Sequence, residues 1–180
     1  MPVKRASILV ICFLVTSYLI LPRYGFTYPS PVCSDGIATH LLYPISHANI
    51  WHLACNCVCL LAMRCPLHLP ATYIIAVMAS FLPSFTISVQ QGFALLSEPT
   101  MGFSGVLFAI GGMAWGRTGR FWRMLKYNLP IILITAFIPH VNAFIHLYSM
   151  LLAYAYARLK TLEIPQYRNP EIPKYRKTIK

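Results

Sequence analysis

Long apolar stretches separated by short basic blocks are the dominant feature of this 180-residue chain. The first stretch, residues 7–21, follows Lys4 and Arg5 and contains no acidic or basic side chain. Stretches of this kind compete for the roughly 30 Å hydrocarbon core of a bilayer. Because no water is present there, the backbone must satisfy its own hydrogen bonds, so the pattern predicts membrane-spanning helices.

The low charge content excludes an ordinary soluble domain. Charged residues make up 11% of the chain, whereas soluble proteins contain about 25%. The whole sequence has only four acids: Asp35, Glu98, Glu163 and Glu171. We predict one membrane domain over residues 1–160, followed by a basic, proline-containing cytoplasmic tail over residues 161–180.

The predicted fold class is an all-α polytopic membrane protein, a bundle of six transmembrane helices. The expected spans are residues 7–21, 48–63, 71–90, 104–115, 129–138 and 142–157. Pro83 is expected to kink the third helix. Pro130 is expected in the first turn of the fifth, where proline is tolerated; an earlier start of that helix, near Phe121, is the alternative.

The net charge of +11 is not distributed as in a nucleic-acid-binding protein. If the six helices alternate in direction, 14 of the 15 lysines and arginines, all except Arg23, fall on one side. That asymmetry follows the positive-inside rule and places both termini in the cytoplasm. We therefore expect a multi-pass protein of a bacterial inner (plasma) membrane that contacts membrane lipid and binds no nucleic acid. The pattern does not define an oligomeric state.

Three polar side chains are predicted to lie at one depth in the bilayer. Each precedes a basic residue by twelve or thirteen positions: Ser104 before Arg117, His146 before Arg158, and His52 before Arg64. At about 1.5 Å per residue, each lies roughly 18–20 Å above the inner basic edge. All three then lie about 10 Å below the outer surface.

A serine and a histidine at one level suggest a nucleophile and its general base. No acid lies within the predicted spans, so a Ser104–His146 dyad is expected rather than a triad. Asn56 follows His52 by one helical turn on the same face. Together with the Ser104 backbone N–H, these two side chains are predicted to form an oxyanion hole. Each polar residue taken alone is also compatible with interhelical hydrogen bonding.

Residues around Ser104 are assigned supporting roles. Gly102 and Gly105 allow other groups to approach the serine closely, although small residues also serve ordinary helix packing. Phe108 lies one turn after Ser104 and is expected either in the core or stacked on His146. Three histidines are expected in wetted loops near the outer surface, namely His40, His47 and His140, while His68 receives no role.

The sequence resembles the rhomboid intramembrane serine proteases over roughly residues 7–158. His47, His52 and Asn56 match that family's His-x4-His-x3-Asn stretch, and residues 102–105 (Gly-Phe-Ser-Gly) resemble its nucleophile motif. The resemblance implies a six-helix rhomboid-like bundle that cleaves transmembrane proteins near the outer membrane face. It implies Ser104 as nucleophile, His146 as base and His52 and Asn56 as oxyanion donors, with no cofactor or metal. It also implies that His47 organises the loop above the site.

The chain departs from the family pattern at several positions. Phe108 replaces a frequent tyrosine, and the last helix lacks the usual glycine pattern, with Ile145 before His146 and Ser149, Ala153 and Ala157 continuing a stripe of small residues. The alternative function is a catalytically silent rhomboid-like protein that binds or escorts membrane helices. Such relatives typically lose the serine or the histidine, and this chain keeps both.

Overall fold

The computed structural model describes residues 3–26, 36–88, 92–95, 99–138 and 141–163. This part of the chain is mostly helical, as predicted. Its elements, in chain order, are α1 (Val3–Ile20), α2 (Gly36–Leu42), a 3-10 turn (Tyr43–Ile45), α3 (Ile50–Ala62), α4 (Leu69–Ala79), β1 (Phe85–Ser88), β2 (Gly92–Leu95), α5 (Ser104–Thr118), α6 (Phe121–Ala136) and α7 (Ala143–Glu163).

Six of these helices correspond to the six predicted ones, with four differences, the last of which concerns α4 and is described below. Helix α2 lies in a segment expected to be a loop. Helix α6 begins at Phe121, so Pro130 lies inside it rather than in its first turn. Helix α7 continues to Glu163, beyond the predicted end at residue 157, because the apolar pattern fades before the hydrogen-bonded helix ends.

The predicted third helix is wrong in its second half. Helix α4 ends at Ala79, and the chain then forms an antiparallel hairpin in which Phe85 pairs with Leu95 and Ser88 with Gly92. Pro83 has no N–H to donate and disfavours helical conformation in the residue before it. The proline therefore stops the helix instead of kinking it.

Helices α5 and α7 form the centre of the bundle and run parallel to each other. Their facing residues keep nearly the same sequence offset along the pair: Ser104 with His146, Gly112 with Met150, and Gly116 with Tyr154. A Cβ atom at Gly112 or Gly116 would collide with the carbonyl oxygen of Met150 or Tyr154, so the backbones touch. On α7, Ser149, Ala153 and Ala157 are buried, which confirms the stripe of small residues predicted from the sequence.

Helix α4 packs against both central helices, and the other helices surround them. Its first turn lies near the end of α5, where His68 meets Arg117, so α4 and α5 are antiparallel. Within the described part of the chain, no single helix has both the length and the hydropathy to cross a bilayer. The pair Gly36–Ile45 and Ile50–Ala62, bent by 63° at the break between them, has both together.

Candidate active site

Ser104 and His146 lie within hydrogen-bond distance although 42 residues separate them. Ser104 is the first residue of α5, and His146 is in the first turn of α7. Their Oγ and Nε2 atoms are 2.9 Å apart, and His146 is only 4% exposed. In the tautomer with its proton on Nδ1, the histidine accepts the serine O–H at Nε2. That arrangement allows the imidazole to take a proton from the hydroxyl.

Phe108 fixes the plane of the His146 ring. The two rings are stacked, with centroids 4.5 Å apart and an angle of 17° between their planes. Phe108 follows Ser104 by one turn of α5, so the same helix supplies the hydroxyl and the surface on which the imidazole rests. This is the stacking that the sequence suggested for Phe108.

Asn142 and Thr100 join the two segments that lead into the catalytic helices. The Asn142 Oδ1 accepts the Ile145 N–H at 3.1 Å, which caps α7 one turn before His146. Its Nδ2 donates to the Thr100 Oγ1 at 2.9 Å, one turn before Ser104. Thr100 in turn exchanges two backbone hydrogen bonds with Phe26. Asn142 is not among the site residues predicted from the sequence, although an asparagine directly before an apolar helix is a recognised capping signal.

Gly102 brings the segment before Ser104 against α3. Its φ of +118° favours glycine, and a Cβ atom there would overlap the His52 ring. The Gly102 N–H donates to the Tyr43 carbonyl at 2.8 Å, and the Tyr43 hydroxyl donates to the Ala76 carbonyl at 2.8 Å. Tyr43 is 1% exposed and was also missed, because no local pattern reveals a contact with residues 33 and 59 positions away.

His47 and His40 are buried, so the expectation of wetted loop histidines is wrong for both. His47 is 1% exposed, and its Nε2 accepts the Phe103 N–H at 3.5 Å, next to the nucleophile segment. The His40 ring is stacked between Phe26 and Phe81, and its Nδ1 lies 2.9 Å from the Ser80 Oγ. Both residues look like loop residues by sequence, but Phe26 and Phe81 cover the His40 ring, and His47 packs against His52 and the Phe103 backbone. His140 lies outside the described residues.

A cavity of about 450 Å³ joins the two halves of the predicted site. Its walls include Ser104 and His146 on one side and His52 and Asn56 on another. Thr135 of α6 and Ile138, just beyond the end of that helix, also line it. Asn56 is 4% exposed, and its Nδ2 has no hydrogen-bond partner among the described residues. The cavity therefore brings together a serine hydroxyl, an imidazole and an amide donor that has no partner among the described residues.

Helix α3 presents His52 and Asn56 on one face because they are four residues apart. The Asn49 side chain caps this helix by accepting the His52 N–H at 2.9 Å. The ring of His52 is edge-on to that of His47, with centroids 5.4 Å apart. Cys55, on the same helix, is exposed and also lines the cavity.

Comparison with known proteins agrees with this arrangement. The Rhomboid domain family matches residues 35–157, which is more than half of the chain. No curated protein matches the sequence. Members of this family are embedded in membranes and are generally serine intramembrane proteases. The matched region contains α2 to α6 and most of α7, and it includes every cavity residue named above. The chain therefore belongs to the rhomboid family.

Proposed function

We propose that this protein is an intramembrane serine endopeptidase with Ser104 as its nucleophile and His146 as its general base. The observation that supports this most strongly is the 2.9 Å contact between Ser104 Oγ and His146 Nε2 inside a cavity. Core packing alone does not require a serine hydroxyl and a buried imidazole to meet at the wall of a space large enough for a peptide.

The proposed reaction begins with attack of the Ser104 Oγ on the carbonyl carbon of the substrate peptide bond. His146 Nε2 takes the hydroxyl proton as the new C–O bond forms. When the tetrahedral intermediate collapses, the C–N bond breaks and His146 returns that proton to the leaving amine. The acyl group is then held on Ser104 as an ester. A water molecule attacks its carbonyl carbon and gives a proton to His146 Nε2; when the bond between that carbon and Ser104 Oγ breaks, His146 returns the proton to Oγ, the carboxylic acid product leaves and Ser104 is regenerated.

The negative charge of the tetrahedral intermediate needs donors on the α3 side of the cavity. The Asn56 Nδ2 lacks a partner among the described residues, so its hydrogen-bonding capacity is available to a substrate oxygen. The His52 ring, over Gly102, and the Ser104 N–H at the start of α5 are the other proposed donors. The free N–H groups at this helix end also favour a developing negative charge.

The proposed substrates are transmembrane proteins cut near the outer face of the membrane. Ser104, His52 and His146 all lie in the first turn of their helices, and the basic residues Arg117 and Lys160 lie in the last turns of α5 and α7. If the basic ends face the cytoplasm, as the positive-inside rule predicts, the cavity is nearer the opposite face. The termini are proposed to be cytoplasmic and the membrane to be a bacterial inner membrane.

Fluorophosphonate labelling of the purified full-length protein tests the proposal. We expect labelling of the unaltered protein, none of Ser104→Ala, and undiminished labelling of Ser149→Ala. Ser149 is a suitable control because it is also a buried serine of the central helix pair, with 0% exposure. Equal labelling of Ser104→Ala would refute Ser104 as the nucleophile. A folded protein that neither reacts nor cleaves any transmembrane substrate would indicate a catalytically silent rhomboid-like protein.

A further inference from the structure

A second cavity lies at the opposite end of the bundle from Ser104. It has a volume of about 220 Å³ and opens between the start of α4 and the ends of α5 and α7. Arg117 lies thirteen residues after Ser104 in α5, which separates the two cavities by roughly 20 Å along the helix. Its polar lining is formed by His68, Arg117, Lys160, Thr161 and Tyr156.

Apolar side chains form the floor of this inner cavity. Met113 and Ala157 are each 4% exposed and pack with Ala71 between the three helices. The cationic side chains therefore stand at the edge of an apolar surface. In a membrane-embedded protein, this is the layer in which lipid headgroups meet the hydrocarbon region.

Arg117 and His68 are in direct contact at the edge of this cavity. The Arg117 Nη2 donates to the His68 Nε2 at 2.6 Å, so the imidazole is neutral in this state. The pKa of His68 is lowered, first by burial and then by the Arg117 guanidinium. His68 also has a φ of +42°, an uncommon conformation for a residue with a side chain.

Arg117 and Lys160 both line the cavity and carry positive charge. An arginine whose neighbour is a neutral histidine retains further N–H donors, because guanidinium has five. These donors are suited to an oxyanion with several acceptor atoms.

We propose that this inner cavity binds the phosphate group of an anionic ligand, with the headgroup of an anionic phospholipid as its natural source. Arg117 binds the phosphate oxygens through its planar donors, and Lys160 adds a second positive charge. The apolar floor formed by Met113 and Ala157 lies beneath the headgroup. Basic pockets between helices on the cytoplasmic side of membrane proteins bind such headgroups.

A solvated basic surface with no defined site is the competing explanation. Loose electrostatic attraction depends on the number of charges near the membrane and little on which cation is removed. Binding at a defined site depends on Arg117 far more than on a nearby arginine outside the cavity. Arg123 provides the matched control, because it is an exposed residue in the first turn of α6 and does not line this cavity.

The test measures how soluble probes raise the melting temperature of the purified full-length protein in neutral detergent. The probes are short-chain phosphatidylglycerol, short-chain phosphatidylcholine and inorganic phosphate, compared at one ionic strength. We expect phosphatidylglycerol to bind most tightly. Hydrogen bonds to charged groups stabilise by about 1.5–3 kcal/mol, so Arg117→Gln should weaken its binding about tenfold or more. Arg123→Gln should change it less than twofold.

The outcomes separate the possible sources of the phosphate. Equal, Arg117-dependent binding of inorganic phosphate and phosphatidylglycerol would support a phosphate site that does not select lipid. Equal weakening by Arg117→Gln and Arg123→Gln, or no binding of either anion, would overturn the proposal. If Arg117→Gln does not fold, Lys160→Gln replaces it. The pKa of His68, followed by NMR, should rise when phosphatidylglycerol binds, because the anion offsets the charge of Arg117; an unchanged value would count against the site.

Discussion

Ser104 and His146 lie on two helices whose backbones touch, whereas His52 and Asn56 lie on a helix that faces them across a cavity. Helix α5 packs far more extensively against α7 than against α3. The position of the proposed nucleophile relative to the proposed base is therefore fixed by interior packing. The position of the proposed oxyanion donors depends on the Gly102 segment and on the cap of α3.

This difference indicates how the two sides of the cavity tolerate amino-acid substitution. Protein interiors are close-packed, so an added atom between α5 and α7 must move a helix. A change on the α3 wall of the cavity has empty space beside it and leaves the helix in place. Four predictions test this comparison, from the largest expected effect on cleavage to the smallest.

Removing either member of the dyad should have the largest effect. Ser104→Ala and His146→Ala should each reduce kcat by at least about 10⁴-fold, because the members of such a unit act together. The double variant should be no slower than the single ones. Cleavage of a transmembrane substrate in proteoliposomes measures this, and a double variant slower than both single variants would show that the two residues act independently.

Removing the Asn56 amide from α3 should slow turnover without lowering the stability of the protein. Loss of one oxyanion donor costs about 10²–10³-fold in kcat, and we expect this for Asn56→Ala. Cys55→Ala is the matched control, because it enlarges the same cavity from the adjacent position without removing an oxyanion donor. An Asn56→Ala protein with normal kcat would show that this residue only supports the helix.

A single methyl group between α5 and α7 should disturb the dyad from a distance. Gly112→Ala places a Cβ atom against the Met150 carbonyl, whereas a Cβ at the neighbouring Gly111 meets nothing within 4 Å. A displacement of about 1 Å can cost about 10²-fold in rate. Gly112→Ala should therefore lower both kcat and the melting temperature, while Gly111→Ala leaves kcat unchanged.

If both alanine variants at these glycines behave alike, contact between the α5 and α7 backbones does not set the dyad geometry. The measurement is kcat together with thermal unfolding of each purified variant.

Asn142→Ala should have a smaller effect, about tenfold in kcat, through the position of His146. The loss of a helix cap costs about 1 kcal/mol, and the bond to Thr100 is lost as well. Asn142→Asp keeps an oxygen for the cap and should recover part of the activity. Asn128→Ala is the control, because the Asn128 amide bonds only the Met124 carbonyl in its own helix.

The kinetic pattern identifies how Asn142 acts. An effect confined to KM would point to a contact with substrate rather than to placement of the histidine. A Thr100→Val variant should reproduce the part of the loss that Asn142→Asp does not recover.

Sequence patterns were most successful where a single helix carries the information. The small residues of α7 and the spacing of His52 and Asn56 follow directly from helical periodicity, and both features are present. Ser104, His52 and His146 each lie in the first turn of a helix, while their shared depth in the bilayer stays a prediction. In each case, the rise and the period of the α-helix determine the result.

Sequence patterns failed where the chain leaves the helices. The burial of His40 and the contacts of Tyr43 and Asn142 depend on residues far away in the sequence. The early end of α4 instead follows from Pro83, whose effect was expected to be a kink rather than a stop. The sequence of a loop has no hydrophobic periodicity, and the burial of a loop residue depends on which distant side chains cover it. Phe26 and Phe81 cover His40 from segments 14 and 41 residues away.

The sequence by itself determined the apolar helices, the distribution of positive charge and the candidate residues Ser104, His146, His52 and Asn56. These depend on composition and local spacing, which the linear chain contains. Tertiary structure alone decided that Ser104 Oγ and His146 Nε2 stand 2.9 Å apart. It also decided that Arg117 meets His68 at the other end. Such distances depend on how closely glycine lets two backbones approach and on where loops anchor helix ends, and both arise only when separate helices pack.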